Sequence, residues 1–180
     1  KPYFYGSHYS NVGAVLHFLI RLEPYSQFFI KFQSGRFDVP DRVFHSVGQS
    51  WDLSSSQSQS DVKELIPEFF YLPEFLLNTN RFKFGSKQDG TKVNDVVLPT
   101  WAHHSARTFI YRHMEALESE YVSFHLHQWI DLIFGYRQLG DEAILARNQF
   151  HPYTYEGAVD ISKLTDPIER DATITQINSY

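Results

Sequence analysis

The chain has 180 residues, of which 42% are hydrophobic and 17% aromatic, and its formal net charge at pH 7 is −5. This length suits one domain with a buried core, and the composition excludes an intrinsically disordered chain. No basic stripe is present, which argues against nucleic acid as a partner. The absence of cysteine excludes disulfide bonds and thiolate metal sites and favours a cytoplasmic protein.

Apolar residues recur with helical spacing near the start of the chain. Their positions are Val12, Val15, Leu16, Leu19 and Ile20. This spacing predicts an amphipathic helix, which Ser10 or Asn11 can cap and Glu23-Pro24 ends. Pro24 can itself begin a second helix that runs to about Gln33.

Two acidic residues predict the start of a third helix. Asp38 is followed by Asp41, in the order typical of a helix N-terminus. The predicted helix runs through Val43, Phe44, Val47 and Trp51. The serine- and glutamine-rich run at residues 54–60 is predicted to be a surface loop.

A repeated motif follows, with Ile66-Pro67-Glu68-Phe69 first and Leu72-Pro73-Glu74-Phe75 second. Each proline pushes the residue before it out of the α region and cannot donate to a sheet ladder. The residues between 66 and 77 are nevertheless too apolar to be left in water. We therefore predict a buried, extended segment that is neither regular helix nor strand, with Glu68 and Tyr71 as candidate partner-binding residues.

The second half of the chain is predicted to be mostly helical. A turn is predicted at residues 88–91 and an extended apolar piece at residues 95–99. Ser105 is predicted to cap one helix, and Gly135 to end the next. Further helices are predicted at residues 141–147 and from Asp166-Pro167, where a cap residue precedes a first-turn proline.

Asp131 lies between Trp129-Ile130 and Leu132-Ile133 in a helix that is apolar on most sides. A carboxylate buried there is costly unless it is paired or accepts hydrogen bonds. We therefore predict that Asp131 is a largely buried structural charge with at least two polar contacts.

The chain carries no strong signature of a catalytic, metal or cofactor site. Its nine histidines include His125 and His127, but this spacing turns the two rings to different faces of a helix. No cofactor or metal ligand is predicted. An alternative is a carboxylate-based hydrolase that uses Glu64, Glu68 and Glu74, because paired carboxylates can cleave glycosides.

Several long motifs resemble those of one family, in the family's order. They are Tyr5-Gly6-Ser7-His8-Tyr9-Ser10-Asn11, Arg21-Leu22-Glu23-Pro24, Phe37-Asp38 with Asp41-Arg42 and Phe44-His45-Ser46, the proline repeat, Asp95-Val96-Val97-Leu98-Pro99, the run from Ala116 to Ser123, the run from Leu126 to Tyr136, and Tyr155-Glu156-Gly157. The chain resembles the BEACH domain over practically all of its length. Thr100 and Gln149 depart locally from the family's pattern. The resemblance implies a mainly α fold around a core of extended segments.

The resemblance also implies context and function. Residues 1–180 would be an incomplete BEACH domain, preceded by roughly the missing first third and a pleckstrin-homology-like domain, and followed by a shorter piece and WD repeats. The implied function is a non-enzymatic scaffold in vesicle trafficking and lysosome-related organelle dynamics, with protein partners and indirect or peripheral membrane association. Without the upstream layers, we expect an open apolar face at Val12, Val15, Leu16 and Leu19.

Overall fold

The computed structural model describes residues 3–5, 11–57, 63–155 and 157–178. Within these ranges the chain has seven α-helices and no β-strand, which confirms the mainly α fold. The helices are α1 (Val12–Phe18), α2 (Tyr25–Phe32), α3 (Val47–Asp52), α4 (Ala106–Leu117), α5 (Glu120–Ile133), α6 (Gly140–Leu145) and α7 (Pro167–Ile177). The larger of two compact units holds residues 11–57 and 63–124, and the smaller holds residues 3–5, 125–155 and 157–178.

Side-chain caps begin three helices at the predicted places. Asn11 Oδ1 accepts a hydrogen bond from the Ala14 N–H at 2.9 Å, which starts α1. Ser105 Oγ accepts the Thr108 N–H at 3.1 Å at the start of α4. The Asp166 carboxylate caps α7 in the same way, at 2.9 Å from a first-turn N–H. Each cap satisfies an N–H that the helix itself leaves without a partner.

The third helix begins later than predicted. Ser46 caps α3 by accepting a first-turn N–H at 3.3 Å, so Val43 and Phe44 lie outside the helix in buried, irregular chain. The two acidic residues have other partners, which explains the error. Asp38 accepts the N–H of the next residue at 2.7 Å, and Asp41 accepts an N–H from a distant turn at 3.1 Å.

The proline repeat folds as two short turns. Ile66 and Leu72 have extended backbone, as predicted for residues that precede proline. Each proline then opens a single 3₁₀ turn, at Pro67–Phe70 and Pro73–Leu76, which the sequence analysis did not include. A proline costs no hydrogen bond at the first position of a turn, and its fixed φ suits that position.

The repeat lies at the centre of the larger unit's core. The Phe69 and Phe75 rings meet edge to face with centroids 4.9 Å apart, and Phe18 of α1 meets Phe69 at 5.0 Å. The first core cluster consists of Phe18, Leu19, Phe44, Ile66, Phe69, Phe75, Leu76, Val96, Ala102, Ala106, Phe109 and Ile110. The second cluster consists of Leu16, Ile20, Phe29, Val43, Phe84 and Val93.

The expectation of an open apolar face on α1 is wrong. Leu19 is buried in the first cluster and Leu16 in the second, because the end of α1 contributes to both. Val15 is partly buried against the first cluster. Only Val12 is well exposed, at 68%. The stripe on α1 is therefore core, and Leu16 and Leu19 are not available to a partner.

Within the smaller unit, hydrogen bonds from irregular segments connect neighbouring parts of the chain. The buried Asn148 amide donates to the carbonyl oxygens of Leu132 at 2.8 Å and Arg137 at 3.1 Å, which ties the chain after α6 to the end of α5. Tyr5 forms an isolated parallel bridge with Phe150. Residues 6–10 of the first family motif, residues 58–60 of the polar run and Glu156 lie outside the described residues.

Candidate partner-binding site

Two of the predicted partner-binding residues lie close together, Glu68 within the first 3₁₀ turn and Tyr71 directly after it. The Tyr71 side chain is exposed, and its hydroxyl donates to Glu68 Oε1 at 3.3 Å. Desolvation and the Glu68 carboxylate raise the pKa of Tyr71. The pair therefore forms a small polar patch beside the core residue Phe69. Its role in partner binding stays a prediction.

The three glutamates of the hydrolase alternative lie in different surroundings. Glu74 is exposed at the second 3₁₀ turn, Glu64 is half-buried before the first, and Glu68 accepts the Tyr71 hydroxyl. In the part of the chain that the structure describes, no group of three histidines or carboxylates could hold a metal ion. The same residues include no helix with the length and apolar character needed to cross a membrane.

The prediction that Asp131 is a buried charge is wrong. Asp131 is only half-buried, and its carboxylate makes no hydrogen bond or ion pair with the residues that the structure describes. The reason is that α5 buries none of its residues, although its sequence is apolar on most sides. The carboxylate keeps part of its hydration and so needs no partner. A Cβ on Gly135 would lie 2.7 Å from the Asp131 Cα, which explains glycine at the helix end.

Because Asp131 is hydrated, we expect Asp131→Asn to change the free energy of unfolding by less than about 0.5 kcal/mol. Asn148→Ala is the matched comparison at the same end of α5. It should cost about 1–3 kcal/mol, because it removes donors from two carbonyl oxygens. Urea denaturation of both variants measures the difference. A loss for Asp131→Asn as large as that for Asn148→Ala would contradict this interpretation.

Arg21 is a buried charge that the sequence pattern did not predict. It is fully buried, three residues after the end of α1. Its Nη1 donates to the Phe44 carbonyl at 2.6 Å, while Nε and Nη2 donate to the Asn94 carbonyl at 2.9 and 2.8 Å. The guanidinium carbon lies 5.0 Å from the centroid of the Phe84 ring. Arg21 thus joins three segments of the larger unit.

The electrostatics of Arg21 fit a structural role. Burial lowers the pKa of Arg21 to about 10, and the carboxylate of Asp95 opposes that shift. The guanidinium is therefore charged at neutral pH, and its hydrogen bonds offset part of the lost hydration. A lone arginine between Ile20 and Leu22, directly after an apolar stripe, is the sequence signal that could have revealed it.

The C-terminal part of α5 carries an exposed apolar stripe in the smaller unit. Leu126, Trp129 and Ile130 of α5 and Phe134, the residue directly after the helix, recur at helical spacing, and Phe134 is 74% exposed. The Trp129 and Phe134 rings meet edge to face, 6.0 Å apart. Soluble monomers rarely expose several large apolar side chains in one stripe, and such stripes mark interaction surfaces. We call these four residues the α5 stripe.

A separate cavity of about 560 Å³ opens in the larger unit. We call it the α3 cavity, because α3 and the π-helical turn after it (Leu53–Gln57) form one wall. Apolar side chains dominate its lining, among them Phe18, Phe44, Val47, Phe69, Pro99 and Trp101. The volume lies in the range typical of binding pockets. None of the site residues predicted from the sequence lines it.

Comparison with known proteins agrees with the motifs. The family model described as Beige/BEACH domain matches residues 1–180. The chain is 55% identical over 180 residues to the human protein named lysosomal-trafficking regulator, covering all of this chain and 5% of that protein. It is 56% identical over 178 residues to BEACH domain-containing protein lvsD of Dictyostelium discoideum, covering 99% of this chain and 6% of that protein.

A third relative comes from mouse. WD repeat- and FYVE domain-containing protein 4 is 49% identical over 176 residues, with 98% of this chain and 6% of that protein covered. The chain thus spans only about 5–6% of the length of these three relatives. The match over the whole chain shows that this protein belongs to the BEACH domain family.

Proposed function

We propose that this chain is part of a non-enzymatic scaffold in membrane trafficking and that it acts by binding proteins. The α5 stripe is the observation that carries the proposal, because it presents large apolar side chains where a partner can bury them. The name of the human relative, lysosomal-trafficking regulator, supports the cellular process.

The partner in this proposal is the pleckstrin-homology-like domain that the family resemblance implies upstream, with WD repeats downstream. The two domains would form one joint surface for trafficking proteins, and membrane association would be peripheral and indirect. Trp129 is the expected anchor, since tryptophan is enriched among the residues that dominate binding energy.

Isothermal titration with the pleckstrin-homology-like domain of the same protein tests the proposal. The double variant Trp129→Ser, Phe134→Ser should weaken binding by about tenfold or more, because it removes two large side chains from the interface. Gln128→Ser is the control, since Gln128 is an exposed polar residue on the same helix. Equal affinity of the double variant and the control would contradict the role of the stripe.

The trafficking role needs a cellular measurement. In cells that lack the full-length protein, re-expression of the native protein should restore lysosome size and number, as measured by imaging. The full-length double variant should not restore them, whereas the Gln128→Ser protein should. Rescue by the double variant would show that trafficking does not depend on the α5 stripe.

A further inference from the structure

The charge of the α3 cavity indicates what can enter it. Among the lining residues that the structure describes, Asp52 and Lys63 are the charged ones, and they carry one charge of each sign. His113 also lines the cavity, and burial lowers the pKa of this imidazole, so it is neutral at pH 7. The described part of the lining therefore has no excess charge to replace the hydration of a phosphate or a carboxylate. An uncharged group is the complement of this cavity.

The rings in the cavity wall favour an aromatic occupant. The described lining residues that carry an aromatic ring are Phe18, Phe44, Trp51, Phe69, Trp101 and His113. Within the wall, Trp101 and Phe69 both lie near His113, with ring centroids 6.1 and 5.9 Å from the imidazole centroid. An aromatic side chain that enters the cavity is surrounded by other rings, and aromatic pairs are favourable beyond the burial of their surface.

Apolar surface continues outside the α3 cavity. Trp51 lines the cavity but is 71% exposed, and Leu65 is 50% exposed. A small molecule held inside would leave these side chains in water. A polypeptide that inserts one side chain can cover them with its neighbouring residues, in the pattern of an apolar centre and a polar rim.

We propose that the α3 cavity binds an uncharged aromatic side chain carried by a segment of a partner protein. The inference rests on the proposed protein-binding function, but it concerns a surface distinct from the α5 stripe. Asp52 and Lys63 then contribute to the polar rim around the inserted ring.

Gly48 offers a way to fill the cavity without damaging the fold. It lies in the cavity wall on α3, and the nearest atom to a Cβ built on it is Ser46 Oγ at 3.8 Å. The Cβ of Gly48→Leu therefore meets no clash, and the substitution raises helix propensity while its side chain takes up cavity space. Gly48→Ala is the matched control, because it makes the same change in propensity with little loss of volume.

The first experiment is an NMR titration of the 180-residue chain with N-acetyl-tryptophan amide. Backbone amide shifts are expected at residues 47–54 and 100–113, with binding about tenfold weaker for Gly48→Leu and unchanged for Gly48→Ala. N-acetyl-tryptophan, which carries a carboxylate, should bind more weakly than the amide. Absence of shifts in the lining, or equal binding by Gly48→Leu, would overturn the proposal.

The second experiment decides between a protein segment and a small molecule. Peptides are selected from a random library for binding to the native chain, and those that also bind the Gly48→Leu variant are discarded. The remaining peptides should share an uncharged aromatic residue. They should bind the Trp51→Ser variant more weakly than the native chain. If the amide probe binds but no such peptide emerges, the occupant is not a protein segment and the proposal fails. Binding by the α5 stripe is measured separately, so either idea can fail alone.

Discussion

Replacing Arg21 with alanine should lower the free energy of unfolding by about 3–5 kcal/mol. The substitution leaves the carbonyl oxygens of Phe44 and Asn94 buried without the donors that they have at 2.6–2.9 Å. It also removes the packing of the guanidinium against the Phe84 ring. Urea denaturation followed by circular dichroism measures the loss.

Two further variants make this prediction specific. Arg21→Lys keeps the charge, but a single ammonium cannot reproduce the fork that reaches two carbonyl groups, so it should still cost about 1.5–3 kcal/mol. Arg112→Ala removes an exposed arginine whose Nη1 lies 2.7 Å from Glu115. It should cost less than about 1 kcal/mol. Equal effects of Arg21→Ala and Arg112→Ala would show that the buried network contributes little.

Phe69→Ala should have an effect of similar size, about 3–5 kcal/mol, because it leaves a cavity among packed rings. Phe69 is 1% exposed and contacts the rings of both Phe18 and Phe75. Tyr71→Ala is the matched control from the same motif. Its side chain is exposed, so the expected loss is below about 1 kcal/mol.

Thermal and urea unfolding of these two variants test whether the proline repeat is the centre of the core. The midpoint should fall for Phe69→Ala and stay nearly constant for Tyr71→Ala. Equal losses of stability in the two variants would contradict the placement of Phe69 in the core and of Tyr71 at the surface.

Features whose partners lie close along the chain could be predicted from the sequence. Asn11, Ser105 and Asp166 begin helices because each side chain accepts an N–H from a residue two or three positions later. Ile66 and Leu72 have extended backbone because each precedes a proline, whose ring disfavours the α region for the residue before it. The family could also be recognised, because its motifs are long and retain their order.

Which apolar surfaces are buried depends on tertiary contacts that the sequence pattern does not show. The stripes on α1 and α5 have similar spacing, yet Leu16 is core and Phe134 is exposed. Periodicity shows that a helix has an apolar face, but not which layer covers it. Arg21 shows the same limit, since its acceptors lie 23 and 73 residues away along the chain. Such contacts form between segments that are distant along the chain, and a local sequence pattern does not predict which distant segments come together.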